Sequence, residues 1–170
     1  MQRNKTMEIE RKFLIKERPQ NLEQYPCFEI EQAYLSVDPV IRIRRKNDDY
    51  ILTYKGGGLM AREEVELPLK EESYAHLLTK ADGNIIRKKR YLIPTSNKLT
   101  IELDVFEDLF DGLIFAEVEF DTVEDAEAFE VPHWFGKDVT YDPDYHNSHM
   151  SRINALQILA LVAISQSKGN

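Results

Sequence analysis

The stretch Glu8-Ile9-Glu10-Arg11-Lys12 opens the first predicted strand, and the rest of the chain is interpreted from it. Residues two apart in a strand share a face, so Glu8, Glu10 and Lys12 point the same way. Alternating charge on a solvated strand face is common, and the motif by itself therefore indicates little. Its importance comes from its return further along the chain.

The same alternation of charged and apolar residues returns in five further segments. Each places charged residues on one face of a predicted strand, and most keep an apolar residue between them. The pairs are Arg42 and Arg44, Glu64 and Glu66, Lys88 and Arg90, Glu102 and Asp104, and Glu117 and Glu119. The pattern fits a sheet with one solvated face, and it also fits a barrel with a polar interior and a covered exterior.

Length and composition bound the class of protein. The chain has 170 residues, of which 42% are hydrophobic and 31% charged, as is typical of one soluble globular domain. A net charge of −8 and a pI near 5.1 argue against a nucleic-acid partner. The single cysteine, Cys27, excludes an internal disulfide, and no segment resembles a signal peptide or a membrane span. These features predict a cytoplasmic protein that binds neither nucleic acid nor a membrane.

Turn signals divide the chain into eight predicted strands and three predicted helices. The strands are expected at 7–15, 28–37, 40–46, 49–55, 60–69, 86–94, 98–107 and 113–121. The helices are expected at 70–81, at 122–130, and at 149–166, where Ile153, Leu156, Leu159 and Ile164 recur at helical spacing. Because no repeat or linker interrupts the pattern, residues 7–170 are predicted to form a single domain and residues 1–6 a disordered leader.

Eight strands of this length close naturally into an antiparallel barrel, which removes exposed sheet edges. The predicted fold is therefore mainly β with flanking helices (α+β): a closed eight-stranded antiparallel barrel with a C-terminal helix. If the charged face is outside, residues such as Ile9, Phe13 and Leu103 fill the interior. If it is inside, the helices must cover those residues. The alternation alone leaves both arrangements open and favours the first.

Taken in order, the charged motifs resemble those of the CYTH family, also called triphosphate tunnel metalloenzymes. Glu8, Glu10 and Lys12 match the family's opening E-x-E-x-K. The other matches are Arg42 and Arg44 for R-x-R, Lys55 after the next strand, Arg62, Glu64 and Glu66 for R-x-E-x-E, Lys88 and Arg90 for K-x-R, Glu102 with Asp104, and Glu117 with Glu119. The resemblance covers residues 7–165, nearly the whole chain.

The resemblance implies that the charged faces line a central tunnel holding a triphosphate with divalent metal. It implies substrate binding by Lys12, Arg42, Arg44, Lys55, Arg62, Lys88 and Arg90. It implies metal ligation, directly or through water, by Glu8, Glu10, Glu64, Glu66, Glu102, Asp104, Glu117 and Glu119. The predicted catalytic residues are Lys12, Arg44, Glu117 and Glu119. The predicted cofactor is Mg²⁺ or Mn²⁺, with two ions per site.

These residue types suit that chemistry. Arginines grip phosphate oxygens bidentately, lysines act as point charges, and carboxylates suit hard divalent cations. Without Arg62, the implied set has six cations and eight carboxylates, a net charge of −2, which two divalent ions convert to +2. We therefore expect the site to repel its substrate until metal binds. So many charges are costly to bury dry, and the tunnel is expected to be water-filled and open at one or both ends.

Three functions remain open at this point. The first is a metal-dependent triphosphatase that hydrolyses inorganic tripolyphosphate, with nucleoside triphosphates as weaker substrates. The second is an adenylyl cyclase that releases pyrophosphate from ATP, because it would use the same phosphate and metal groups. The third is a non-catalytic module that binds polyphosphate. A lipocalin-like carrier would need an apolar lumen, and a homodimer is neither required nor excluded by the sequence.

Two features depart from the usual family pattern in the C-terminal region. Asp138 stands where a glutamate is more typical, and two histidines, His146 and His149, flank Asn147-Ser148. A pair of histidines three residues apart could bind metal. Without a third ligand nearby in sequence they are better interpreted as capping or surface residues.

Overall fold

The computed structural model describes residues 6–57 and 60–168. Its strands are β1 Thr6–Ile15, β2 Cys27–Val37, β3 Val40–Lys46, β4 Asp49–Lys55, β5 Ala61–Pro68, β6 Asp82–Pro94, β7 Thr100–Phe106, β8 Ile114–Glu119 and β9 Phe135–Asp138. Its helices are α1 Glu71–Leu78, α2 Val123–Ala128, α3 Asn147–Met150 and α4 Ala155–Lys168. Residues 1–5 of the predicted leader lie outside the described residues, so the leader stays a prediction.

Eight antiparallel strands close into a barrel, which confirms the predicted fold. The sheet order is β5-β4-β3-β2-β6-β7-β8-β1, and pairing of β5 with β1 completes the ring. The closing register pairs Glu8 with Arg62, and Thr6 with Glu64. Among the described residues, only 6–9 of β1 pair with β5. The C-terminal end of β1 pairs with β9 instead, through Phe13 and Ile15. No sheet edge is left open around the ring, as a barrel requires.

The charged face of the alternating strands points inward, so of the two arrangements that the alternation allowed, the structure has the charged interior. On the outward face, Phe13, Leu103 and Val118 are at most 1% exposed. They belong to an apolar cluster that also contains Ala126 of α2 and Phe135 of β9. A second outer cluster joins Ile43 of β3 to Tyr74 of α1. The hydrophobic core here therefore lies between the outer surface of the barrel and the helices that cover it.

One end of the barrel is filled by apolar side chains. On five strands the inward positions change from polar to hydrophobic toward that end: Leu14, Tyr34, Ile86, Phe106 and Phe115 are all at most 3% exposed. These residues form one cluster with buried side chains from the C-terminal segment: Val139, Tyr145, Met150, Ile153, Ile158 and Leu161. The tunnel is therefore closed at this end.

The predicted strands agree closely with the observed ones, and β3 and β4 have the predicted bounds. α1 and α2 are shorter than predicted, and Thr122 caps α2 by accepting a hydrogen bond from the backbone N–H of Asp125 at 3.1 Å. β6 begins four residues before its predicted start, at Asp82, which pairs with Tyr34 of β2. The Asn84 side-chain amide donates to the carbonyl oxygens of Met150 and Ile153 at 3.1 and 2.8 Å.

The single C-terminal helix predicted at 149–166 is wrong in two respects. The segment is divided into α3 and α4, because Asn154 and Gln157 exchange side-chain and backbone hydrogen bonds and start a new helix. The buried face is also different. Leu156 and Leu159 are 77% and 67% exposed, whereas Ile158 and Leu161 pack into the closed end of the barrel.

Strand β9 was not predicted. Its four residues are too short to show an alternating pattern, and β1 is what fixes them as a strand. Among the described residues, no helix combines the length and the hydropathy needed to cross a membrane.

Gly83 permits the close approach of β6 to the C-terminal segment. Its φ is +85°, and a Cβ added there would lie 2.0 Å from the carbonyl oxygen of Ser151. We expect Gly83→Ala to lower the free energy of unfolding by at least about 2 kcal/mol, from backbone strain and this clash together. Chemical denaturation measures the effect.

Gly57→Ala is the matched control, because no atom of the described residues beyond its chain neighbours lies within 4 Å of a Cβ added at that position. This substitution should change the free energy of unfolding by less than about 0.5 kcal/mol. Equal effects at the two glycines would contradict the proposed role of Gly83.

Candidate active site

A charged cavity of about 550 Å³ occupies the barrel interior. It is lined by thirteen of the fifteen residues that sequence analysis assigned to the site: Glu8, Glu10, Lys12, Arg42, Arg44, Lys55, Arg62, Glu64, Glu66, Arg90, Glu102, Glu117 and Glu119. Their convergence follows from the period of two along every strand, which turns all the charged positions toward the axis once the barrel closes.

The other two predicted site residues, Lys88 and Asp104, lie behind the cavity wall. Their side chains are 0% exposed and form an ion pair with each other. Burial lowers the pKa of Lys88 to about 8. Asp104 also accepts two hydrogen bonds from Arg90, at 2.6 and 2.7 Å, and so fixes the guanidinium that does line the cavity. Their direct roles with phosphate and metal stay predictions.

Five of the seven predicted cations are held by carboxylates. Lys55 Nζ lies 2.6 Å from a carboxylate oxygen of Glu8 and 3.2 Å from one of Glu64. Arg62 also contacts Glu8, at 3.0 Å. Lys12 and Arg90 both contact Glu117, each at 3.1 Å. Lys88 and Arg90 share Asp104.

The two remaining cations, Arg42 and Arg44, have no carboxylate partner in the part of the chain that the structure describes. Arg42 donates to the hydroxyl of Thr53 at 3.1 Å. Arg44 donates twice to the side-chain oxygen of Gln32, at 3.2 and 3.1 Å. Burial and the nearby charge of Arg42 lower the pKa of Arg44 to about 10, so it remains protonated near neutral pH. This part of the wall therefore carries two positive charges that pair with no carboxylate among the described residues.

The opposite wall is crowded with carboxylates. The ring order puts three strands between β3 and β8 on either side, so Arg42 and Arg44 face Glu117 and Glu119 across the lumen. Burial and the neighbouring carboxylates, Glu102 first among them, raise the pKa of Glu119. Burial, Glu117 and Glu8 likewise raise the pKa of Glu10. The lumen is thus divided into a cationic side and an acidic side.

Glu117 differs from its acidic neighbours. Burial alone would raise the pKa of its carboxyl group, but Lys12 and Arg90 hold that pKa well below its usual range. Glu117 therefore stays ionised well below the ordinary pKa of a glutamate, whereas burial and neighbouring carboxylates disfavour the charges of Glu10 and Glu119 and raise their pKa.

The acidic side fits a divalent cation in charge and in donor chemistry. Hard cations such as Mg²⁺ take carboxylate oxygens, and a positive ion would relieve the repulsion that raises the pKa of Glu10 and Glu119. Among the described residues, no three carboxylate or histidine side chains converge closely enough to form a ready-made metal shell. Glu8 and Glu64 are instead drawn toward Lys55, so ligation by them requires these ion pairs to loosen.

Sequence reasoning missed several cavity residues. The lining also includes Val40, Lys46, Thr140, His146, Asn147 and Ser148. His146, interpreted above as a capping or surface residue, lies inside, where burial and the charge of Lys12 lower its pKa. His149 is exposed, as expected. The C-terminal segment carries no alternating charge, and only the tertiary fold brings it over the lumen.

The geometry defines a class of protein: a β-barrel whose closed, charged lumen can hold an anion and a cation together. Comparison with known proteins agrees with this class. The model of the CYTH domain family matches residues 6–132, and the chain belongs to this family. The resemblance seen in the sequence motifs is thereby confirmed.

Two relatives and one solved structure show the degree of similarity. The inorganic triphosphatase of Nitrosomonas europaea is 33% identical over 147 residues, covering 85% of this chain and 96% of that protein. The inorganic triphosphatase of Acetivibrio thermocellus is 32% identical, covering 84% and 92%. A crystal structure of an inorganic triphosphatase superposes with a TM-score of 0.66 at 31% identity, covering 86% of this chain and 95% of that one.

The crowded carboxylates generate a testable expectation for the metal-free protein. Because the folded-state pKa of Glu119 is raised above its ordinary value of 4.5, its ionisation at pH 7 costs folding free energy. Glu119→Gln should therefore raise the melting temperature of the metal-free protein at pH 7. The gain should disappear as the pH falls below about 4.5, where the carboxyl is protonated in both the folded and the unfolded chain.

Glu29→Gln is the control, because Glu29 is exposed on the outward face of β2. It removes the same charge from the same barrel outside the lumen. A rise in melting temperature of equal size for both variants would show that net charge, and not crowding inside the lumen, is responsible.

Proposed function

We propose that this protein is a divalent-metal-dependent triphosphatase that hydrolyses inorganic tripolyphosphate inside its barrel. The observation that carries the proposal is the pair of arginines without a carboxylate partner among the described residues, buried Arg42 and half-buried Arg44, opposite the crowded carboxylates Glu10 and Glu119. A phosphate chain can bind the arginine side and share a cation with the acidic side. The relatives named inorganic triphosphatases support the same activity.

The lining favours an inorganic substrate over a nucleotide. Of the described residues that line the cavity, none is Phe, Tyr or Trp, and Val40 is the one aliphatic side chain among them. A nucleobase is ordinarily bound by stacking and apolar contact. Charged and small polar groups surround the lumen instead, which suits a chain of phosphates. Nucleoside triphosphates are therefore proposed as weaker substrates, held by their phosphates alone.

Each group of residues has a proposed role. Lys12, Arg42, Arg44, Lys55, Arg62 and Arg90 bind the phosphate oxygens, and Lys88 supports Arg90 through Asp104. The proposed metal ligands, directly or through water, are Glu8, Glu10, Glu64, Glu66, Glu102, Asp104, Glu117 and Glu119. Asp104 would first have to release Lys88 and Arg90, and Glu117 and Glu119 would orient the ion that activates the attacking water. Bound Mg²⁺ or Mn²⁺, two ions per site, would neutralise charge on the phosphates and make water more acidic.

The reaction makes modest covalent demands on the protein. Water attacks a terminal phosphorus, the bond to the bridging oxygen breaks, and phosphate and pyrophosphate leave. Catalysis is then mostly positioning and stabilisation of charge that develops on the phosphate oxygens. Arg44 and Lys12 are placed to supply that stabilisation, because both line the cavity and are already fixed by hydrogen bonds before substrate arrives.

We also propose that the protein acts in the cytoplasm, as its composition predicts. A homodimer stays a prediction.

One assay separates the candidate functions. The purified protein is offered tripolyphosphate, thiamine triphosphate and ATP, each with Mg²⁺ or Mn²⁺, and the products are separated. Phosphate with pyrophosphate from tripolyphosphate supports the proposal. Cyclic AMP with pyrophosphate from ATP would identify a cyclase, and binding without turnover would identify a non-catalytic module.

Hydrolysis should be strictly metal-dependent, since neighbouring carboxylates oppose the charges of Glu10 and Glu119, a repulsion that a cation would relieve, and the substrate brings further negative charge. Glu10→Ala removes one proposed ligand, and turnover at saturating metal should fall by at least about tenfold. Glu124→Ala, which changes an exposed residue of α2, should leave turnover unaltered. Cleavage of tripolyphosphate in excess chelator, or wild-type turnover by Glu10→Ala, would contradict the proposed metal role.

The alternating faces of β3 allow a test within two neighbouring residues. Arg44 lines the cavity, and Arg45 is outside the lining because it points to the other face. We expect Arg44→Ala to reduce kcat/KM for tripolyphosphate. The reduction should correspond to a loss of about 1.5–3 kcal/mol of transition-state stabilisation, the value of a charge-assisted contact. Arg45→Ala should change it by less than about twofold. Steady-state kinetics, with circular dichroism to confirm folding, compares them.

An equal or larger effect at Arg45 would mean that the inward face of β3 has been misassigned. The charged-lumen account of the site would then have to be abandoned.

A further inference from the structure

Two neutral side chains hold the two unpaired arginines of the lumen. Gln32 lies on β2 and Thr53 on β4, the two strands that flank β3. Both residues are 0% exposed. Across the sheet, Gln32 is directly opposite Arg44, and Thr53 is directly opposite Arg42. Each arginine is therefore fixed from one side by a buried hydrogen-bond acceptor.

The chemistry of these acceptors differs from that around the other cations. Lys12, Lys55, Arg62, Lys88 and Arg90 all contact carboxylates. A glutamate at position 32 would have the same shape as the glutamine and would form a stronger, charge-assisted contact with Arg44. It would also cancel the arginine's charge. The neutral amide gives the guanidinium two hydrogen bonds and an orientation, and it leaves the positive charge available.

The arrangement also leaves buried donors unused, which packing alone does not explain. Gln32 Nε2 and Arg42 Nε are buried and have no hydrogen-bond partner among the described residues. Buried polar groups are nearly always satisfied in folded proteins, because leaving one unpaired destabilises the fold. Gln32 thus keeps its side-chain oxygen on Arg44 although its amide nitrogen is left without a hydrogen-bond partner among the described residues.

We propose that Gln32 and Thr53 are positioning residues that orient Arg44 and Arg42 for a phosphate chain without neutralising them. The proposal rests on the proposed function, since it assigns the two arginines to the substrate. Neither Gln32 nor Thr53 needs to touch the substrate. Their effect passes through the guanidinium groups, whose planes they hold toward the lumen.

Gln32→Glu is the decisive variant. It keeps the acceptor oxygen and the side-chain shape, and it adds one negative charge beside Arg44. We expect the metal-free variant to melt at the same temperature as the wild type or higher, because a new ion pair forms. We expect its KM for tripolyphosphate to rise at least about tenfold, because Arg44 is neutralised. If Gln32 were purely structural, the substitution would not raise KM while leaving the melting temperature unchanged or higher.

Gln24→Glu is the matched control, since it adds the same charge at an exposed residue. It should leave both the melting temperature and the KM close to wild-type values. A tenfold rise in KM for this control would attribute the effect to net charge and would overturn the proposal.

Position 53 provides an independent test with a conservative rescue. Thr53→Val keeps the shape and removes the acceptor of Arg42, and KM should rise several-fold. Thr53→Ser keeps the hydroxyl, and KM should return to within about twofold of wild type. Equal kinetics for the valine and serine variants, or an unchanged KM for Gln32→Glu, would overturn the positioning roles.

Failure of the proposed function gives a different result from failure of this inference. If the wild type does not turn over tripolyphosphate, the proposed function fails. If the wild type is active and the folded variants at positions 32 and 53 keep its KM, only the positioning roles fail. Tripolyphosphate turnover by the wild type is therefore measured first, with circular dichroism of every variant.

Discussion

Charge enclosed in a barrel is the constraint on which this structure depends. Seven cations and eight carboxylates of the predicted set sit on or just behind the inner wall, where unpaired charges cost several kcal/mol each unless water or partners stabilise them. Most are therefore joined in ion pairs that run from strand to strand, such as Lys55 with Glu8 and Lys12 with Glu117. Because the inside is polar, the hydrophobic core has to lie outside the barrel and at its closed end.

That relocation of the core explains the accessory elements. α1 and α2 cover outward apolar faces, and α4 with the segment after β9 seals one end over Leu14, Phe106 and Phe115. Thr140 and His146 of the same segment line the lumen. The C-terminal part of the chain thus has two tasks. It provides the hydrophobic free energy that a charged lumen cannot, and it makes the tunnel a cavity with a closed end.

Charge is not evenly neutralised around the lumen, so one side is cationic and the facing side is acidic. Arg42 and Arg44 keep their charge because their partners are Thr53 and Gln32, whereas Glu10 and Glu119 are crowded by carboxylates on the facing side. An anion is attracted to one wall and a cation to the other. A phosphate chain with bound metal satisfies both walls at once, which neither partner does alone.

Eight of the nine described strands, and the residues that share a face within each, can be predicted from the sequence, because side chains alternate with a period of two along a strand. Alternation left open which face lies inside, and the resemblance of the ordered motifs to the CYTH family indicated the charged one. The charged motifs from Glu8 to Glu119 identified thirteen of the nineteen described residues that line the cavity. The folded structure was needed to show which cations are paired, that Lys88 and Asp104 lie behind the wall, and that α4 buries Ile158 and not Leu156. These outcomes depend on contacts between residues far apart in the chain, and alternation within one strand carries no information about its partners across the lumen.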